Sequence, residues 1–206
     1  SLRKKNKPVI REVCLYFEYK LYRGNRTTKI NAEHFEAFES FNYPALAESG
    51  VHLKIHKENL WKGKPKMQTL KVHKDFNSNI VLLKVFPGLS KAVVESVLSI
   101  PNLEGVVLET YGSGNTFTDS WFSDLLSQAI TKGIKVVNVT QCSGGSVIMG
   151  QYETSTELKK IGVISGKDIT TESAIAKMMY LLGKQLSTKS FKSIFETSIR
   201  GEITQI

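Results

Sequence analysis

"GVVLETYGSGN", residues 105–115, decides how the rest of the chain is read. Its first half is a short apolar, β-branched run with the length and composition of a buried strand. Its second half has two glycines separated by one residue, followed by Asn115. A glycine-rich turn after a buried strand often cradles phosphate. A dinucleotide loop, however, needs a third glycine, and a P-loop needs a lysine behind its last glycine. The next residues are TFTDS, so neither requirement is met. Two readings stay open from the residues alone. Either the glycines supply φ > 0 in a tight strand-to-helix turn, with Asn115 bonded to local backbone, or Asn115 reads something other than phosphate.

Outward from this stretch, strand and helix patterns alternate. "IVLLKVF" (80–86) reads as a strand broken by Pro87-Gly88. Ser90 is placed to cap a helix running through Ser99, with Val93, Val94, Val97 and Leu98 on one face. Thr118 or Asp119 can cap a second helix through Lys132, with Gly133 at its C′ position. "IKVVNV" (134–139) is a third strand. A helix led by Asp168 to Glu172 then buries Ile175, Met178, Met179 and Leu182, and a last one occupies roughly 188–199. Such alternation predicts an α/β fold over 80–206, a small parallel sheet with helices on both faces (Rossmann/flavodoxin-like). With strands all running one way, their C-terminal ends share an edge, where open α/β sheets bind ligands. YGSGN and "TQCSGGS" (140–146) both sit at that edge.

Residues 1–79 read differently. "VIREVCLYFEYKLYRG" (9–24) suits a strand or hairpin with Val13, Leu15 and Phe17 on one side. "NRTTKINAEHFEAFES" predicts a loop and a short helix with Phe35 and Phe38 inward, and "ENLWKGKPK" a loop. "VHLKI" (51–55) and "MQTLKV" (67–72) alternate like antiparallel strands. This stretch reads as the end of a preceding domain and its connection to the next.

Bulk composition narrows the function classes. The 206 residues suffice for one ordinary domain and part of a second. Nothing approaches the roughly 18 apolar residues of a membrane span, and the basic N-terminus has no apolar run behind it. An opening on Ser-Leu is expected of a piece of a longer protein. Net charge is +9, but Arg3, Lys4, Lys5 and Lys7 supply four of the cations and the others are interspersed with acids. Without a clustered, aromatic-interleaved basic patch, a nucleic-acid partner is not expected. Cys14 and Cys142 match no metal-ligand or disulfide spacing, which predicts reduced thiols in a cytosolic protein.

Taken together, GVVLETYGSGN, GIKVVNVTQCSGG and GQYETSTELKKIGVISGKDITTESAIAKMMYLL, in that order, resemble the C-terminal domain of bacterial type I (cytoplasmic) L-asparaginases. VCLYFEYKLYRGNRTTKINAEHFEAFES resembles the end of that family's N-terminal domain. The resemblance spans Val9 to Gln205. It implies hydrolysis of L-asparagine to L-aspartate and ammonia by a threonine nucleophile, without metal or cofactor, in a cytoplasmic homodimer or homotetramer. Lys29, which closes RGNRTTK, corresponds to the lysine that helps activate the threonine, whose hydroxyl is a poor nucleophile unaided. Asn115 corresponds to an asparagine offered to the substrate of a neighbouring subunit. An effector site in some members maps to Thr28, Cys142 and Glu109. Glu109 stands where those members carry arginine, and an acid does not pair with a ligand carboxylate. For Cys142 a small buried residue in a strand-end turn is the favoured reading. The family's T-G-G-T-I and H-G-T-D-T stretches are absent from these residues, so the chain alone is predicted inactive. The asparaginase-like subunit of tRNA-dependent amidotransferases is the alternative resemblance.

Overall fold

The computed structural model describes residues 3–4, 7–63 and 71–205. The chain divides into two units, Ser1–Val72 with Ile199–Glu202 and His73–Ser198 with Ile203–Ile206.

The first unit is built from short antiparallel strands. β1 (Cys14–Phe17) and β2 (Lys20–Arg23) form a hairpin across Glu18-Tyr19, with Glu18 at φ +44°. A positive φ at the first loop position matches the twist that two-residue hairpins require. β3 (Thr28–Lys29) pairs with β4 (Phe38–Glu39), while β5 (Ala47–Glu48) joins β2 and is followed by β6 (Lys54–Ile55), giving the order β1-β2-β5-β6.

Several expectations for this unit are corrected. No helix forms between Asn31 and Glu39. The Asn31 side chain accepts from the backbone N–H of Glu33 and His34, and the chain then turns back to pair Phe38 with Lys29. Phe38 packs edge-on against Phe17 at 5.2 Å, whereas Phe35 stays exposed. Val13 precedes β1 and is also exposed, because its carbonyl, not its side chain, faces inward to accept from Gly24 N–H. Of residues 51–55 only Lys54–Ile55 is strand, and residues 67–70 lie outside the described residues.

This unit buries charge as well as apolar surface. Tyr22, Leu46 and Ala47 are buried, yet Arg26 ranks among its largest fully enclosed side chains. Arg23, also buried, pairs with Glu12, and Glu12 accepts in addition from the backbone N–H of Trp61 at 2.7 Å. Buried charges persist only when paired and hydrogen-bonded in this way.

In the second unit β7 (Ile80–Lys84), β8 (Gly105–Thr110), β9 (Lys135–Thr140) and β10 (Ile164–Ser165) form a parallel sheet in the order β10-β9-β8-β7. Each crossover of the same hand steps the same way, so α1 (Lys91–Leu98), α2 (Ser120–Thr131) and α3 (Glu153–Lys160) all pack on one face. There Val94, Phe122, Leu126 and Leu158 close over Val106, Leu108 and Val136. Burying each such Leu or Phe contributes roughly 1.5–3 kcal/mol. The opposite face belongs to α4 (Thr171–Leu182), with α5 (Thr188–Phe195) packed against it. Gly105 permits the close approach of α4, since a Cβ there would meet Met178, Leu182 and Ile80.

Local chemistry sets the helix ends. Ser90, Thr170 and Ser187 cap α1, α4 and α5 by accepting from Val93, Ser173 and Ser190 N–H. Asp119 holds the N-cap position of α2 without a side-chain bond, and Gly133 follows at φ +99°. Two details differ from the sequence pattern. Val93 on α1 faces solvent, because the core stripe of an eight-residue helix is centred on Val94. α5 stops at Phe195, before 199, once Phe191 and Phe195 have been buried. Helix α3 and strand β10 escape the apolar pattern altogether. α3 reads ETSTELKK and buries only Leu158 and Ser155, which is too little apolar surface to show a period.

Candidate functional site

The Asn115 loop follows β8 at the sheet's C-terminal edge. Tyr111 and Asn115 bridge each other, with Tyr111 N–H on the Asn115 carbonyl at 2.8 Å and Asn115 N–H on the Tyr111 carbonyl at 2.9 Å. This five-residue reversal is possible because Gly112 and Gly114 adopt φ of +47° and +109°. Gly114 is also packed tightly, since a Cβ there would lie 2.8 Å from Val147 Cγ1. The two glycines thus supply the positive φ of a tight turn between strand and helix, as the first of the two sequence readings requires.

Strands β8 and β9 secure the loop through three polar side chains that sequence reasoning missed, Thr110 from β8 and Asn138 and Thr140 from β9. Asn138 is fully buried and donates from Nδ2 to the Gly114 carbonyl at 3.0 Å. Its Oδ1 accepts from the buried Thr110 hydroxyl at 2.6 Å. Thr140 donates to the Gly112 carbonyl at 2.6 Å and accepts from Cys142 N–H at 3.0 Å. The available signal was Asn138 itself, an amide inside the apolar run IKVVNV. A buried amide must find partners. On the other side of the loop, the Thr154 hydroxyl of α3 donates to Asn115 Oδ1 at 3.2 Å, which engages the oxygen of the Asn115 carboxamide.

Glu109 and Cys142 share this edge with Asn115. The side-chain nitrogen of Gln141 donates to the carbonyls of Val85 and Glu109 at 2.6 and 2.9 Å, tying three strand ends together. The Glu109 carboxylate, nearly enclosed, accepts from the Thr171 hydroxyl at 2.7 Å and lies 3.6 Å from Lys84 Nζ. Its charge thus has a hydroxyl donor and an exposed lysine beside it. Cys142 is exposed, not buried, which corrects the packing reading of that residue. Its backbone N–H is held by Thr140 while its side chain projects beyond the strand end.

Lys29 and Thr28 lie in the first unit, on β3. Lys29 is exposed, with Nζ 5.9 Å from the centre of the Phe38 ring across the β3–β4 pair. Thr28 is half-buried. RGNRTTK itself is anchored by its arginines. Arg26 Nε and Arg23 NH1 both donate to the Gly201 carbonyl, at 2.7 and 3.2 Å, and Asn25 donates to the Arg200 carbonyl at 3.1 Å. The two arginines hold the stretch that presents Lys29, a role not evident from the motif.

Among the described residues no three His, Cys, Asp or Glu side chains converge as a metal site, and no helix is long and apolar enough to cross a membrane.

Comparison with known proteins gives a consistent lineage. The glutaminase/asparaginase C-terminal domain matches residues 79–195, and the asparaginase N-terminal domain matches residues 2–61. L-asparaginase 1 of Escherichia coli is 40% identical over 195 residues, covering 95% of this chain and 57% of the relative. The 60 kDa lysophospholipase of Mus musculus is 40% identical over 197 residues, covering 95% of this chain and 34% of that protein. The crystal structure of L-asparaginase I from Vibrio cholerae superposes with a TM-score of 0.85 at 36% identity, over 95% of this chain and 58% of that one. The chain thus spans little more than half the length of the asparaginases it matches. With a C-terminal-domain match covering more than half its residues and an N-terminal-domain match preceding it, the chain belongs to the asparaginase/glutaminase family.

Proposed function

We propose that this chain is the C-terminal portion of an L-asparaginase, residues 1–79 ending its N-terminal domain and 80–206 forming its C-terminal domain. The parent protein hydrolyses L-asparagine to L-aspartate and ammonia through an acyl-threonine, in the cytoplasm. Lys29 takes part in moving the nucleophile's proton. Asn115 is offered to the substrate bound by a neighbouring copy. The observation that carries this reading is the Asn115 loop. Its backbone is fixed by its own bridge and by β9, while the Asn115 amide nitrogen keeps both hydrogens available among the described residues. A carboxamide so presented orients a small polar ligand.

Two copies associate through the C-terminal domain in this reading, and sedimentation of a clean monomer at high micromolar concentration overturns that part. The catalytic part is tested by joining the chain to an upstream portion that carries the threonines. Lys29→Met in that longer protein lowers turnover by at least about a hundredfold, the range expected for loss of a proton-transfer group. Undiminished turnover refutes it. The chain alone should release no ammonia from asparagine above blank. RNA binding with a steep salt dependence would instead favour the amidotransferase-subunit reading.

A further inference from the structure

We propose that Asn138 is a positioning residue for Asn115, setting the direction of the substrate-reading carboxamide from inside the sheet. This rests on the reading of Asn115 as a substrate contact. The Gly114–Asn115 peptide plane is held at both ends. Its carbonyl accepts from Asn138 Nδ2 at 3.0 Å, and its N–H donates to the Tyr111 carbonyl at 2.9 Å. A peptide is planar, so two bonds at opposite ends fix its orientation and with it the Asn115 Cα. Only the Asn115 side-chain torsions remain, and Thr154 restrains them through Oδ1.

The direction of the Asn138 amide is itself determined. A carbonyl can only accept, so Gly114 requires the nitrogen end, and Oδ1 must then face Thr110. The Thr110 hydroxyl supplies the matching donor at 2.6 Å, fully buried beside it. A weaker contact from Nδ2 to Met149 Sδ at 3.5 Å uses the remaining hydrogen. Thr110, Asn138 and Gly114 are buried at its centre and Met149 is half-buried at its edge, so the register of the loop is written in a paired network whose central groups are removed from water. Networks of this kind hold a single geometry because every alternative leaves a buried group unpaired.

Asn138→Asp tests this with almost no change of shape. The new carboxylate still accepts from Thr110 but faces the Gly114 carbonyl with lone pairs. When protonated, it regains a donor. Its pKa lies above the ordinary carboxylate range because it is buried and faces an acceptor. The bond to Gly114 is therefore present below that raised pKa and lost as pH rises through it. In the chain as it stands, Asn138→Asp should lower the hydrogen-exchange protection of the Asn115 amide by about tenfold at pH 7. Acidification should restore that protection while the amides of α4 stay unchanged throughout. Thr110→Ser should keep the protection and Thr110→Val should lose it. Unchanged protection of Asn115 at pH 7, or loss without recovery on acidification, overturns the assignment. In the longer protein the same variant should raise KM for L-asparagine with the same pH dependence. Disturbed protection with an unaltered KM would instead sink the reading of Asn115 and leave the Asn138 assignment standing.

Discussion

Arg26 donates through Nε to the carbonyl of Gly201 at 2.7 Å, joining residues 175 positions apart. Arg23 reaches the same carbonyl through NH1 at 3.2 Å, and both guanidinium groups lie over the Tyr43 ring, at 4.2 and 5.3 Å from its centre. Planar, always-charged forks suit this double use of stacking and directional donation, and lysine cannot reproduce it. Gly201 is required at the meeting point, because it adopts φ +84° and the Arg23 guanidinium occupies the place of a Cβ. The loop that carries Lys29 is thereby held by residues at the far end of the chain.

Arg23→Met should destabilise the first unit by about 3–5 kcal/mol, because Glu12 is left buried without its partner. Adding Glu12→Gln should recover a substantial part of that loss. Urea unfolding followed by Trp61 fluorescence, in a Trp121→Phe background, reads both variants. Equal losses in the single and double variants would show that the ion pair is not what Arg23 contributes.

Gly114→Ala and Gly88→Ala separate backbone strain from crowding. Both glycines have positive φ, +109° and +90°, so alanine costs about 1–2 kcal/mol at either from backbone strain alone. Only at Gly114 does the added methyl also press on Val147, 2.8 Å away, while nothing lies within 4 Å at Gly88. Gly114→Ala should therefore lose about 1 kcal/mol more in thermal unfolding. Matching losses would contradict the packing described for the loop.

The two thiols should differ in reactivity. Burial raises the Cys14 thiol from 9.0 to about 11, with the Glu12 charge adding to the rise and Arg23 opposing it. The raised value means the fold favours the protonated thiol, so its contribution to stability is complete below pH 9 and is lost as pH climbs towards 11. With a disulfide reagent at pH 8, the exposed Cys142 should react first and Cys14 only slowly. Fast reaction of both thiols in the folded protein would exclude this assignment.

Asn115→Ala should leave the fold intact, since among the described residues its side chain makes one hydrogen bond, with Thr154. In the longer protein it should raise KM for asparagine about tenfold, with a smaller change in kcat. A drop in kcat alone would move Asn115 from substrate binding to the chemical step.

The second unit was legible where residues act locally. Apolar β-branched runs announced β7, β8 and β9, and Ser90 announced a helix start, because strand burial and capping depend on neighbours in sequence. The same logic failed at Asn31–Glu39. Asn31 does turn the chain there, but the choice between helix and ribbon was made by Lys29 pairing with Phe38 and by Phe17 beneath it. Helix α3 was illegible for the opposite reason, since it is held by one leucine against a core assembled elsewhere.

For the site, the sequence by itself determined which residues are candidates: the glycines with Asn115, the edge they lie on, and Lys29 in its motif. Only the tertiary structure decided what holds them. Asn138 meets Gly114, Glu109 meets Thr171 and Lys84, and Arg26 meets Gly201. Each pairing joins groups from 24 to 175 residues apart, or from neighbouring strands, whose partners become obligatory only after burial has removed water as the alternative. A side chain's type shows that it will need a partner. Which partner it finds depends on the packing of the whole sheet.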